Sequence, residues 1–166
     1  MKTGAQCLLI VNPRSGTSDK GRVIKHAIER LLSIGISVET AFTERPAHAT
    51  ELAAVAASEG VDIVVAIGGD GTVNETARAL CNSSSVLGII PTGSGNGLAR
   101  HLNIPMDPLK AIGVITDGRV EQCDYCTVND RPFFCTFGMG FDAAVSGRFA
   151  SRPGNRGLIN YVRSAI

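Results

Sequence analysis

The run VDIVVAI, residues 61–67, constrains the fold of this chain more than any other segment. After Asp62 it has no polar alternation, so both faces of the strand it predicts must be covered, and such strands lie inside parallel sheets with helices on either side. AQCLLIVN (5–12) is a similar short apolar run ending in a turn. Val23, Ile24, Ala27, Ile28, Leu31 and Leu32 then recur at helical spacing, and Gly35 stops them. ISVETAFT (36–43) alternates as a strand, Pro46 opens a second helix carrying Ala49, Leu52, Ala53 and Ala56, and Val73, Ala77 and Leu80 mark a third. VLGII (86–90) is a fourth buried strand, followed by a short helix through Ala99 to Leu102. Strand and helix alternate to about residue 116, which predicts an α/β fold with an open, mainly parallel sheet in three layers.

From Gly118 the pattern changes. RVEQCDYCTV, the turn Asn129–Asp130 and RPFFCTFGMG read as a β-hairpin with no helix between its strands. The expected division is an α/β unit over 1–117 and the beginning of a β-rich second unit over 118–166. Two helical stretches follow, FDAAVSGRFA and RGLINYVRSAI, and the pattern breaks off at Ile166, so a fragment is expected. Cys123 and Cys126 form C-x-x-C, but on a strand positions three apart point to opposite faces and cannot jointly hold zinc. The five cysteines are read as buried free thiols.

With 16 Lys and Arg against 15 Asp and Glu, no global charge steers the chain toward nucleic acid or an anionic bilayer. The apolar runs fall short of the ~18 residues a membrane span needs, and Lys2 with CLLIV is too little for a signal peptide. A cytoplasmic location is the expectation.

Three glycine-rich loops, NPRSG (12–16), IGGDGT (67–72) and PTGSGNG (91–97), each follow a predicted strand. In an open parallel sheet they crowd onto the carboxyl edge, where ligands bind. Gly68, Gly69 and Gly71, backed by a helix from Thr72, offer backbone amides to phosphate. A carboxylate among them repels a triphosphate, so Asp70 makes sense if it binds Mg²⁺, directly or through water, or takes a proton from an attacking hydroxyl. Both roles fit phosphoryl transfer. GGDG also reads as a plain tight turn. None of the loops has the Walker or the dinucleotide-binding spacing.

NPRSG, GGDGTVNE and PTGSGNGLAR, in this order, resemble the diacylglycerol kinase catalytic domain family, which includes bacterial lipid kinases, diacylglycerol kinases and sphingosine kinases. FGMGFDAAV looks like the start of that family's second domain. The resemblance implies a two-domain kinase, with ATP and Mg²⁺ in the cleft and a lipid hydroxyl as acceptor. By motif position Asn12, Pro13, Arg14, Ser15 and Gly16 contact nucleotide, as does Thr43. Gly68, Gly69, Asp70, Gly71 and Thr72 line the phosphates, and Gly93, Ser94 and Asn96 complete the cradle, Ser94 as donor. Asn74 and Glu75 orient a metal-bound water or the adenosine end, a plain first-turn Glu being the other reading. Asp70 is the acidic catalytic and metal residue, and Asp124 extends the metal and water network, an exposed strand Asp being the alternative. Many bacterial diacylglycerol kinases carry Thr and Asp where this chain has Ser94 and Gly97, and GSGNGLA resembles the sphingosine kinase version. The family's general base falls after Ile166.

Asp142 suits an N-cap or a lipid head-group contact. His26, His48 and His101 share no ligand spacing. Arg148, Arg152, Arg156 and Arg163 read as a solvated face or an anionic-lipid contact. The expected partners are ATP and a lipid alcohol at the membrane surface, with peripheral membrane contact at most and no nucleic acid; a homodimer stays open. The competing functions are a sphingosine kinase-like enzyme, an NAD kinase-like phosphotransferase, whose family also has GGDGT, and a non-catalytic nucleotide-binding module.

Overall fold

The computed structural model describes residues 4–16, 19–141, 143–145 and 147. Four parallel strands form one sheet: β1 (Gln6–Val11), β2 (Ser37–Phe42), β3 (Ile63–Gly68) and β4 (Val86–Pro91), in the spatial order β2-β1-β3-β4. Helices α1 (Lys20–Ser33), α2 (His48–Ser58) and α3 (Asp70–Leu80) connect them, and α4 (Gly97–His101) and α5 (Pro108–Asp117) follow β4. The expected three-layer α/β architecture is what the chain adopts.

Strand parity divides the core. Cys7, Leu9 and Val11 of β1 and Ile63, Val65 and Ile67 of β3 face one side, where Val23, Ala27 and Leu31 of α1 and Ile112 of α5 cover them. Ile10 and Val64 face the other side, against Ala49, Ala53 and Ala56 of α2 and Leu80 of α3. Every residue of β3 is buried, as a run without alternation requires. The parallel register places Ile67 between Val11 and Ile90. Strand order reverses at β1: the chain moves outward to β2, then crosses back to β3 on β1's other side. The crevice between the carboxyl ends of β1 and β3 is thus a topological switch point.

Several sequence expectations shift. Pro46 lies outside α2, whose N-cap is Ala47 with φ 64°, in the left-handed region. Helix α5 was not anticipated, although Asp107 as a side-chain cap to the Leu109 amide with Pro108 at the helix start is a readable signal. The hairpin is far shorter than its apolar pattern implied: β5 (Cys126–Val128) pairs antiparallel with β6 (Arg131–Phe133) as a sheet of its own. Pro132 brings no N–H to the ladder, and Cys135 at φ 88° bends the chain just beyond it. The turn is as expected, with Asn129 and Asp130 at φ 48° and 60°, the two positive values a tight hairpin turn takes. Cys123 is therefore not on a strand, and the opposite-face argument does not apply to it. Cys123, Cys126 and Cys135 are exposed, Cys81 is half-buried, and only Cys7 is the buried free thiol expected of all five. Asp142, Arg148, Arg152, Arg156, Arg163 and the helix RGLINYVRSAI lie outside the described residues. Among those described, no helix is long and apolar enough to cross a membrane.

Burial pushes the Cys7 thiol from an ordinary 9.0 up to about 12. Between those values the folded chain keeps a proton that the unfolded chain loses, so stability falls as pH rises through that window. Against a Cys7→Ala variant, the unfolding free energy of the native sequence should decline more steeply above pH 9, by at most about 1.4 kcal/mol per pH unit. Urea titrations from pH 8 to 11 measure it, and parallel pH profiles would contradict it.

Candidate active site

The three loops at the carboxyl edge are in mutual contact. Asn12 Nδ2, at the end of β1, donates to Thr72 Oγ1 in the first turn of α3 at 3.1 Å. The Asn12 side chain also accepts from the Arg14 amide, and Ser15 closes the turn by donating to the Asn12 carbonyl. Ser15 Oγ lies 2.8 Å from Thr92 Oγ1, which ties the first loop to the third. Gly16, at φ 57°, sits where a Cβ would fall 1.7 Å from the Thr92 carbonyl oxygen. Pro13 and Arg14 are exposed at the loop tip. The Lys20 ammonium donates to the Ser15 carbonyl, a link the sequence reading missed; partial burial lowers its pKa.

The second and third loops meet backbone to backbone. A Cβ on Gly93 would stand 2.5 Å from the Gly69 Cα. Asn96, buried at φ 57°, closes the third loop on itself, its side chain accepting from the Gly93 amide at 3.1 Å and donating to the Gly93 carbonyl at 2.8 Å. Asn96 therefore shapes the loop, while Ser94 and Gly95 remain exposed.

Asp70 joins these loops. Its Oδ2 accepts from the Asn96 amide at 2.9 Å and its Oδ1 from the Gly97 amide at 2.6 Å. A carboxylate offers about four lone-pair sites, so these bonds leave each oxygen one further site. The side chain is exposed and borders a cleft of about 230 Å³. Val73 and Asn74, three and four residues on and hence on the same face of α3, line it too, opposite Phe134, Cys135 and Thr136. These last three were not foreseen, because the sequence carries no sign that the chain beyond β6 returns to α3. Arg78 Nε, donating to the Pro132 carbonyl at 3.0 Å, secures that return.

Asn74 and Glu75, grouped by the sequence reading, diverge. Asn74 faces the cleft. Glu75 instead accepts from the Ala47 amide at 3.0 Å and the Ala49 amide at 3.3 Å, at the start of α2. Thr43 prolongs the β1–β2 ladder through its amide, 2.8 Å from the Val11 carbonyl. Asp124 is exposed and is not among the residues lining the cleft beside Asp70.

A phosphate group fits this edge. The first-turn amides of Asp70, Gly71 and Thr72 have no intrahelical acceptor, and a Cβ on Gly71 would meet nothing within 4 Å. For Mg²⁺, commonly held by one or two carboxylates plus substrate phosphates, Asp70 is the carboxylate bordering the cleft. Among the described residues no group of three or more His, Cys, Asp or Glu assembles a dedicated metal cage.

The family model of the diacylglycerol kinase catalytic domain matches residues 6–128. A diacylglycerol kinase of Staphylococcus saprophyticus is 34% identical over 127 residues, which cover 75% of this chain and 42% of that protein. One from Staphylococcus epidermidis is 35% identical, with 75% and 40% covered. A crystal structure of a diacylglycerol kinase from Bacillus anthracis superposes with a TM-score of 0.73 at 30% identity, covering 80% of this chain and 49% of that one. The chain thus spans less than half the length of each.

Two glycine substitutions separate packing from open space at this edge. Gly93→Ala drives a methyl group into the Gly69 backbone and should lower stability by about 1–3 kcal/mol. Gly71→Ala should hold stability level or raise it by up to ~1 kcal/mol, through the loss of a helical glycine. Urea unfolding of the pair reads both values, and equal destabilisation would mean that the space at Gly71 is not open.

Proposed function

The chain belongs to the diacylglycerol kinase catalytic domain family, and on that premise we propose that it binds ATP at the β1–β3 edge and supports transfer of the γ-phosphate to a lipid hydroxyl. Diacylglycerol, the acceptor in its relatives' names, is the first candidate, and a sphingoid base the second. Residues 1–117 act as the nucleotide-binding unit and 118–166 as the beginning of the second unit. The protein works in the cytoplasm, meeting its lipid at the inner membrane surface as a peripheral visitor.

The observation that carries this reading is the first turn of α3, where amides without an intrahelical acceptor and the open space at Gly71 stand on the same turn as the Asp70 carboxylate, which itself borders the cleft. The amides hold phosphate oxygens, Asn12 and Thr72 fix the first loop against them, and Ser94 donates from the third loop. Asp70 would be the carboxylate to hold Mg²⁺, which would supply neutralisation of the phosphate charge. In the transfer the acceptor oxygen bonds to the γ-phosphorus as the bridging oxygen leaves with ADP. The acceptor's proton passes to a carboxylate, and the unused lone pairs of Asp70 suit it to receive that proton or to hold a metal-bound water. The cleft wall of Val73, Leu98 and Phe134 gives the acceptor an apolar approach. A binding module without transfer is the second reading, favoured by the engagement of both Asp70 oxygens with loop amides.

The test is transfer of labelled γ-phosphate from Mg-ATP to diacylglycerol, sphingosine and NAD in parallel, using the product of the complete reading frame. Label in a lipid supports the kinase and selects the acceptor; label in NAD overturns the lipid assignment. Label in none, with ATP still bound, favours the binding module. Asp70→Asn should cut lipid labelling by at least ~100-fold, and near-normal turnover would remove Asp70 from the chemistry. Gly71→Ala should weaken ATP binding about tenfold, roughly 1.4 kcal/mol, in a protein no less stable, as isothermal titration would read; unchanged affinity would move the phosphates elsewhere.

A further inference from the structure

Glu75 belongs to the glycine-rich motif by sequence, yet its carboxylate turns from the cleft toward a different segment. Residues 43–47 leave β2 at the carboxyl edge and run into α2 as one braced piece. The Glu44 amide donates to His48 Nδ1 at 3.1 Å, the Arg45 guanidinium makes a two-pronged contact with Glu51 at 2.6 Å, and the His48 amide donates to the Arg45 carbonyl at 3.3 Å. The start of α2 lacks a cap of its own, because Ala47 has no side-chain acceptor and stands in the left-handed region. Glu75 supplies the missing acceptors from α3, one oxygen to the Ala47 amide and the other to the Ala49 amide. A negative carboxylate at a helix N-terminus is electrostatically favourable as well. Thr50 Oγ1, donating to the Glu75 carbonyl at 3.0 Å, adds a second tie at the same residue.

Strand β2 lies two strands from β3, about 10 Å at ordinary strand spacing. Phosphates anchored on α3 therefore leave the β2 side for the nucleoside end. We infer that Glu75 is a positioning residue: its carboxylate caps α2 from the neighbouring helix and thereby fixes segment 43–47, with Thr43, as the nucleoside-side wall of the nucleotide site, touching neither metal nor nucleotide itself. The inference rests on the reading that ATP binds at this edge.

In the test, ATP and adenosine each displace a fluorescent ATP analogue from the native protein, from Glu75→Gln and from Thr50→Val, in Mg²⁺ and in EDTA. Hydrogen exchange is followed at the Ala47 and Ala49 amides. Glu75→Gln keeps the side chain's shape but surrenders one acceptor. It should speed exchange at those amides and weaken nucleotide binding about tenfold, by the same factor in Mg²⁺ and in EDTA, and for adenosine as for ATP. Thr50→Val, which leaves the carboxylate in place, should change nucleotide affinity by less than about twofold. A loss confined to Mg-ATP would overturn the inference in favour of a metal role. Unchanged affinity despite faster exchange would reduce Glu75 to a stabilising cap, and unchanged exchange would remove the cap. A native protein that binds no nucleotide would overturn the underlying reading of the site, and the inference with it.

Discussion

Parallel pairing of β1 with β3 is the constraint on which the rest of the structure depends. Both strands are paired on each edge, so their backbone groups are satisfied within the sheet and helices must cover both faces. Parallel strands all end in the same direction, which forces every strand-to-helix loop to one side. Because the chain visits β2 before returning to β3, the helices after β1 and β3 diverge to opposite faces, and their loops flank a crevice instead of packing into each other. The amide of Asn12 donating to the Ile67 carbonyl at 3.0 Å is the last rung of that pairing, and it sets the height at which the loops begin.

Helix α3 carries this order outward. Two carboxylates on it, five residues apart, point to different sides and meet different pairs of backbone amides: Asp70 those of the third loop, Glu75 those of α2. Each is an acceptor supplied to donors that have no acceptor nearby in their own segment, and each joins an element distant in sequence. The helix thus serves as a strut between loop and neighbouring helix, while Val73 and Leu80 bury its apolar stripe. A carboxylate held in this way has its orientation fixed before any ligand arrives.

The architecture was legible because burial leaves a mark: the short, β-branched run from Ile63 to Ile67 reads as a covered strand, and the α1 and α3 stripes repeat at helical spacing. The loops that gather at one edge were legible for the same reason. The partners of polar side chains left no such mark. Nothing in the sequence says that Asp70 bonds to amides 96 and 97, or that Asn74 and Glu75 part company, although a rotation of about 100° between neighbouring helical residues argues against pairing them. The hairpin failed in length, since its residues satisfy a strand pattern but find only three partners across the turn. Helix α5 was missed where a cap and a proline announced it.

The contact between Gly69 and Gly93 limits how this site can vary. Glycine is already the smallest residue, so when two backbones touch there is no compensating exchange in which one position shrinks to let the other grow. Substitution at this edge is thereby closed where the two loops touch and left to positions such as Asn74 and Ser94, which stand clear of that contact. An engineer who wishes to reshape this edge inherits the same division between what can be edited and what cannot.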